Sequence, residues 1–289
     1  MNNFMENAQQ LRPIGKLLAD TWKFYQLNYK KVCLLMLWGL IGAVPYALII
    51  AVNINFRLQI APYQTVINLI TFLFYLVTLY WIISTFLGLI ILIKNPEKKI
   101  IDVFNAGRKL VWGHLAISLV VFMFVSLWSL LFVIPGIIFG IFYTFAMFAF
   151  VYDGYRRSAA LGRSKELVSG KWWPVFGRLI IGLVIIMAFA MLYSFALRAS
   201  QSSWLTYVIL LIYYAIMSLL LSPLYVTYLS LIYNDLVAIK PVSSLPKEKN
   251  DYWLVAVATI FLIIVTLIFL SLMALAIMML AAQTMTTGV

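Results

Sequence analysis

The sequence predicts an all-α polytopic transmembrane bundle, and three observations carry that prediction. Of 289 residues, 65% are hydrophobic and 10% are charged, whereas a water-facing domain carries about 25% charged residues. The apolar residues gather in seven runs, at 32–52, 65–93, 114–134, 136–152, 174–197, 205–232 and 252–281. Runs of this kind cross about 30 Å of hydrocarbon at roughly 1.5 Å per residue. They are apolar on every face, which excludes the alternating pattern of a membrane β-barrel.

The third observation is where the charges fall. The chain has 21 Lys and Arg against nine Asp and Glu, for a formal net charge of +12. Segments 1–31, 94–113, 153–178 and 235–251 hold 19 of the 21 cations and all nine carboxylates, leaving only Arg57 and Arg198 in the intervening loops. By the positive-inside rule the N-terminus is cytoplasmic and, after seven crossings, the C-terminus lies outside. A prokaryotic plasma (inner) membrane is the expected location. Nucleic acid is not an expected partner, because the cations adjoin spans and face headgroups.

Taken in order, the chain opens on an amphipathic stretch at 12–30, where Ile14, Leu17, Leu18, Trp22 and Tyr25 follow a helical period opposite Arg12, Lys16, Asp20, Lys23 and Lys30. It contains no short apolar core and no small-residue cleavage site, so the first span reads as an uncleaved anchor. That span carries the single cysteine, Cys33, a small core residue, and Pro45. A second amphipathic stretch occupies 96–111, with Asn95 and Pro96 as its expected N-cap and first helical residue. A third, at 158–169, lines Leu161, Ser164 and Val168 along one side toward Trp172, with Gly170 as its stop.

Between the second and third stretches lies the run 114–152, which as one helix would be about 58 Å long. Its two flanking loops are both basic, so an even number of crossings separates them. Pro135-Gly136 is therefore expected at a hairpin tip, Pro lacking an N–H and Gly tolerating positive φ. A re-entrant wedge would satisfy the charges too, but each arm is long enough to span. The result is a six-helix core over 1–236, built of three units of interfacial helix, span out and span back. A Pro/Ser-rich linker at 237–251 and a seventh span within 252–289 follow.

Little in these residues suggests catalysis. No ionisable group sits at mid-span, where such groups are costly and usually functional. A lone Cys and a lone His exclude a Cys/His metal site, and no cofactor is expected. His114 and Ser118 share one helical face, but no carboxylate in that span orients the ring and no Gly-x-Ser-x-Gly elbow is present. An interfacial His beside a helix Ser accounts for them. The basic clusters Lys98-Lys99, Arg156-Arg157, Arg163-Lys165 and Lys171 are candidate contacts for anionic lipid headgroups, at about 1 kcal/mol per cation. The same charges also act simply as topological anchors. Gly136 and Gly140 form GxxxG, expected to pack within the hairpin or, alternatively, against a second copy or another membrane protein.

The stretch from Pro135-Gly136 through an aromatic span to Ala160, Leu161, Ser164, Leu167, Gly170, Trp172 and Trp173 resembles the membrane domain of glycerophosphoryl diester phosphodiesterases and related uncharacterised bacterial membrane proteins. Pro223 and the exit Tyr228 to Asp235 extend the likeness over roughly 11–236. What the resemblance implies is a six-helix module with amphipathic connectors. Phosphodiesterase activity belongs to a separate soluble domain in that family, so no catalytic residue is carried over. The expected role is non-enzymatic, organising lipids or scaffolding partners. The alternative is a transporter or permeation unit for a lipid-like substrate, suggested by the two proline-broken spans. All of it requires that reporter tags or protease sites placed at Lys98 and Arg163 be found on the same face of the membrane; opposite faces would dissolve the hairpin and the threefold plan together.

Overall fold

In a computed structural model, described here for residues 11–55, 63–199, 203–241, 243, 245–248 and 250–286, the chain is a bundle of helices without a strand among the described residues. Glu6 and Arg57 lie outside those residues. The helices are α1 (Ile14–Ile41), α2 (Val44–Asn55), α3 (Gln64–Lys94), α4 (Ile100–Leu131), α5 (Val133–Tyr143), α6 (Ala146–Asp153), α7 (Ser158–Val168), α8 (Trp172–Ala199), α9 (Ser203–Ile216), α10 (Ser222–Ile239) and α11 (Tyr252–Thr286), with a π-turn at Met217–Leu221 before α10. Seven stretches are long and apolar enough to cross a bilayer, one for each predicted span. The chain is a multi-pass membrane protein.

Two of the three expected interfacial helices are not separate elements. The 12–30 stretch runs without interruption into the first span as α1, and 96–111 runs into the third as α4. No Pro stands at either junction, and the single glycine at the second, Gly113, is tolerated inside a helix. Asn95 does not cap α4. It closes α3, its backbone N–H bonding the Ile91 carbonyl at 2.9 Å, and Lys99 is the N-cap of α4.

The hairpin between α4 and α5 is present, but its tip is Phe132, in extended conformation (φ −155°, ψ 135°), three residues before Pro135. The first N–H groups of a helix have no intrahelical acceptor, so Pro135 fits inside the first turn of α5 rather than in the reversal. Gly136 then faces α4, where a Cβ would run into Ser129, while Gly140 meets nothing within 4 Å. Half of the GxxxG pair therefore packs within the hairpin.

Helices in lipid gain little from hydrophobic burial against one another and rely on close backbone approach. The tightest approach joins α3 and α4, antiparallel across the turn at 95–99. A Cβ on Gly107 would land on the Ser84 carbonyl and lie 2.8 Å from the Gly88 nitrogen. Trp38, Trp81 and Phe104 pack around this contact, with Trp81 and Phe104 ring centroids 4.9 Å apart. Toward the same end of the bundle, where Tyr152 Oη donates to the Ile90 carbonyl at 3.2 Å, Phe148 and Tyr233 stack at 5.8 Å, with Phe145 and Tyr152 beside them. α11 packs on α4 through Phe261 and Phe122, whereas its later residues, such as Ile263, Leu267 and Leu270, are exposed for lipid. Gly107→Ala is expected to force α3 and α4 apart and cost about 1–3 kcal/mol, whereas Gly15→Ala, where a Cβ meets nothing within 4 Å, leaves stability unchanged or improved; thermal unfolding in detergent reads the difference.

Candidate functional site

The central stretch folds into one local structure around α7. The span formed by α5 and α6 is broken at Thr144-Phe145, where Phe145 adopts φ −96°, ψ 4°. That break frees a donor and an acceptor, and one side chain satisfies both. Ser164 Oγ donates to the Phe142 carbonyl at 2.6 Å and accepts from the Phe145 N–H at 3.1 Å. Ser164 is fully buried, as are Leu161, Leu167 and Val168 beside it. α7 is thus the third amphipathic stretch in its predicted place, but its inner side packs on the broken span instead of resting on a lipid surface. Gly170 follows its end at φ +77°, as its predicted role as a stop requires. Trp172 and Trp173 then line a cavity of about 490 Å³ with Ile134 and Ile137 of the hairpin tip. Residues of the motif at Pro135, Gly136, Ser164, Leu167, Gly170, Trp172 and Trp173 therefore belong to one contiguous region.

The segment 240–251 is not a free linker. It straps α7 at both ends. Lys240 Nζ bonds the Glu166 carbonyl at 2.6 Å, Ser243 Oγ bonds Glu166 Oε2 at 2.6 Å, and the Lys247 carbonyl accepts from the Arg156 N–H at 2.8 Å. Asp251 then takes the Ser158 N–H at 3.2 Å and Arg157 Nε at 2.8 Å. It thereby caps the start of α7 from the far side of the chain. Burial opposes its charge, but the bonds from Ser158 and Arg157 prevail and hold the Asp251 carboxyl below the usual carboxylate range. Burial likewise pulls the Lys240 ammonium below its usual range, against the attraction of Glu166. Asp251 stands directly before α11, and its partner across the fold leaves no local signal in the sequence.

These contacts sort the candidate cations. Arg163 is 2% exposed, bonding Glu166 Oε2 at 3.1 Å and the Lys240 carbonyl at 2.7 Å. It is therefore corrected from a headgroup contact to an internal clamp. Arg157 pairs with Asp251 and Glu248, lies 3.8 Å from the Tyr252 ring centroid, and holds an unusual backbone (φ 47°) in place. Lys171 is half-buried. Lys98, Lys99, Arg156 and Lys165 are exposed and make no ion pair among the described residues. Asp235, the last motif residue, pairs with Arg12 at 2.6 Å, and Arg12 also reaches Asp20 at 2.9 Å. The hydrogen bond to Asp235 outweighs partial burial and raises the Arg12 pKa.

Pro223 lacks the N–H that would have bonded the Leu219 carbonyl, and Tyr25 Oη donates to that carbonyl at 2.8 Å. Beside it, an apolar groove of about 200 Å³ runs between α1, α8 and α10, lined by Leu18, Trp22, Ile185 and Leu224 among others. The enclosed polar cavity that would favour a transporter is not what lies there. His114 Nδ1 and Ser118 Oγ are 3.3 Å apart, as their spacing predicts, and no carboxylate among the described residues bonds the ring. Among the described residues no group of His, Cys, Asp and Glu is arranged to hold a metal.

No family model, curated protein or solved structure matches the chain. Ser164→Ala is expected to leave the Phe145 N–H and Phe142 carbonyl unpaired and to cost about 1–3 kcal/mol per lost group; amide exchange at Phe145 should accelerate well before global unfolding in detergent.

Proposed function

We propose that the chain is a non-enzymatic membrane module that gathers anionic lipids on its basic face, with its N-terminus in the cytoplasm. One observation carries this. Five carboxylates, Asp20, Glu166, Asp235, Glu248 and Asp251, are each paired with an arginine of the chain. Asp153 is held by the Tyr233 hydroxyl at 2.5 Å. Glu97 and Asp102 are exposed beside Lys98 and Lys99 but make no ion pair among the described residues, so Lys98, Lys99, Arg156 and Lys165 face outward without a carboxylate partner there. Cations beside a bilayer attract anionic headgroups by about 1 kcal/mol each, within a Debye length.

We further propose kinship with the membrane domain that accompanies glycerophosphoryl diester phosphodiesterases. Its support is the grouping of the motif residues around α7, and no activity is taken over from the soluble partner domain. A second reading, passage of a lipid-like substrate, draws on the groove at the Pro223 break. The apolar lining of that groove suits an acyl chain and not an ion.

In vesicle flotation or native mass spectrometry, the protein should retain phosphatidylglycerol in preference to phosphatidylcholine, and the preference should weaken in high salt. Replacing Lys98, Lys99 and Lys165 by Gln should lower it by about fivefold per residue. Equal retention of the two lipids would sink the proposal.

A further inference from the structure

We infer that the cleft between α4, α6 and α11 is a discrete site for one anionic phospholipid, its phosphate on Arg156 and an acyl chain between α4 and α11; this rests on the reading that the basic face takes anionic lipid. The cleft has a volume of about 330 Å³, at the lower end of the range for small-molecule sites (about 300–1,000 Å³). Its chemistry is divided. At the mouth stands Arg156, exposed, its guanidinium 5.9 Å from the Phe150 ring centroid. Its backbone N–H is tied to the strap at Lys247, so the cation is presented from a fixed loop.

Behind that mouth the walls are apolar and small. Gly113 and Ala116 on α4 face Val255 and Ala256 on α11. A Cβ on Gly113 would come within 2.5 Å of the Phe150 ring, so a larger residue there would push Phe150 into the slot. Trp112 and Tyr252 flank the opening at 75% and 66% exposure, the placement expected of aromatic residues at headgroup level.

Charge complementarity selects the occupant. The neighbouring Arg157 is already compensated by Asp251 and Glu248, so among the described residues that line the cleft Arg156 is the cation without a carboxylate. A guanidinium presents a planar fork that matches phosphate oxygens. A free phosphate would leave the slot empty, whereas a phospholipid fills both parts.

Native mass spectrometry of the full chain released from phosphatidylglycerol-containing membranes tests this, with Arg156→Gln, Ala256→Phe and Lys98→Gln/Lys99→Gln compared at matched thermal stability. The unaltered protein should keep one phosphatidylglycerol through activation that strips the rest. Arg156→Gln should weaken that copy by about fivefold or more, and Ala256→Phe should abolish it by filling the slot. The double lysine variant should lose peripheral lipid and keep this copy. Retention at the unaltered level in both Arg156→Gln and Ala256→Phe overturns the site while leaving the broader lipid preference standing. Displacement by millimolar inorganic phosphate, with Ala256→Phe indifferent, overturns it in favour of a free anion. No preference for phosphatidylglycerol in the unaltered chain sinks the broader reading, and this site with it.

Discussion

A helix that breaks inside a bilayer exposes backbone groups that lipid cannot satisfy, at several kcal/mol each. Three of the seven spans break, and at each break a hydroxyl from another helix takes the freed group. Thr78 Oγ1 bonds the Gly42 carbonyl at 3.1 Å where α1 gives way to α2. Tyr25 Oη bonds the Leu219 carbonyl freed by Pro223. Ser164 Oγ serves donor and acceptor together at the Phe145 break. Each stitch also fixes which helix lies beside which, because a hydroxyl reaches only a neighbour. Helix order in this bundle follows as much from these three contacts as from apolar packing, which lipid weakens as a driving force.

The Ser164 stitch has the widest consequences. It requires α7 to fold back along the broken span, and that return buries Arg163. A buried guanidinium needs acceptors, and Glu166 and the Lys240 carbonyl supply them. The carbonyl brings the end of α10 against α7, and from there the strap runs to Asp251 at the other end of the helix. Arg163 Nε has no partner among the described residues. The described residues of the Pro/Ser-rich segment 240–251 lack helix and strand, yet each end is held by what it touches on α7.

Which parts of this were legible in the sequence follows from the range of each interaction. The seven spans were, because length and apolarity are properties of a local run. The hairpin was, because basic loops on either side demand an even number of crossings; its tip was displaced by three residues, since Pro135 is as comfortable within the first turn of a helix as in a reversal. The stop at Gly170 was, being local chemistry. The helices at 12–30 and 96–111 were expected to end at the membrane surface because their polar faces suggested water or headgroups. Amphipathic spacing does not say what the polar face meets. In α1 one end of it meets protein, Asp20 binding Arg12, which binds Asp235, 223 residues away, while Lys16, Lys23 and Lys30 stay exposed. The strap and the burial of Arg163 depend on pairings of the same kind, which no window of sequence contains.

Seven cations were candidates for headgroup contact, and the fold divides them by chemistry. Arginine occupies the internal positions, at Arg163, whose rigid fork meets a carboxylate and a carbonyl at once, and at Arg157, whose fork meets two carboxylates. Lysine occupies outward positions, at Lys98, Lys99 and Lys165, where a hydrated point charge on a flexible stem suits a fluid lipid surface. Lys171, half-buried, stands between the two groups, and Arg156 departs from the division. It is an arginine with no carboxylate, next to one that has two, held by its own backbone over an aromatic ring at the mouth of a slot. An exposed arginine whose backbone is fixed, and which has no carboxylate partner among the described residues, is arranged for an acceptor supplied from outside, and beside a bilayer the abundant planar-matching acceptor is a lipid phosphate.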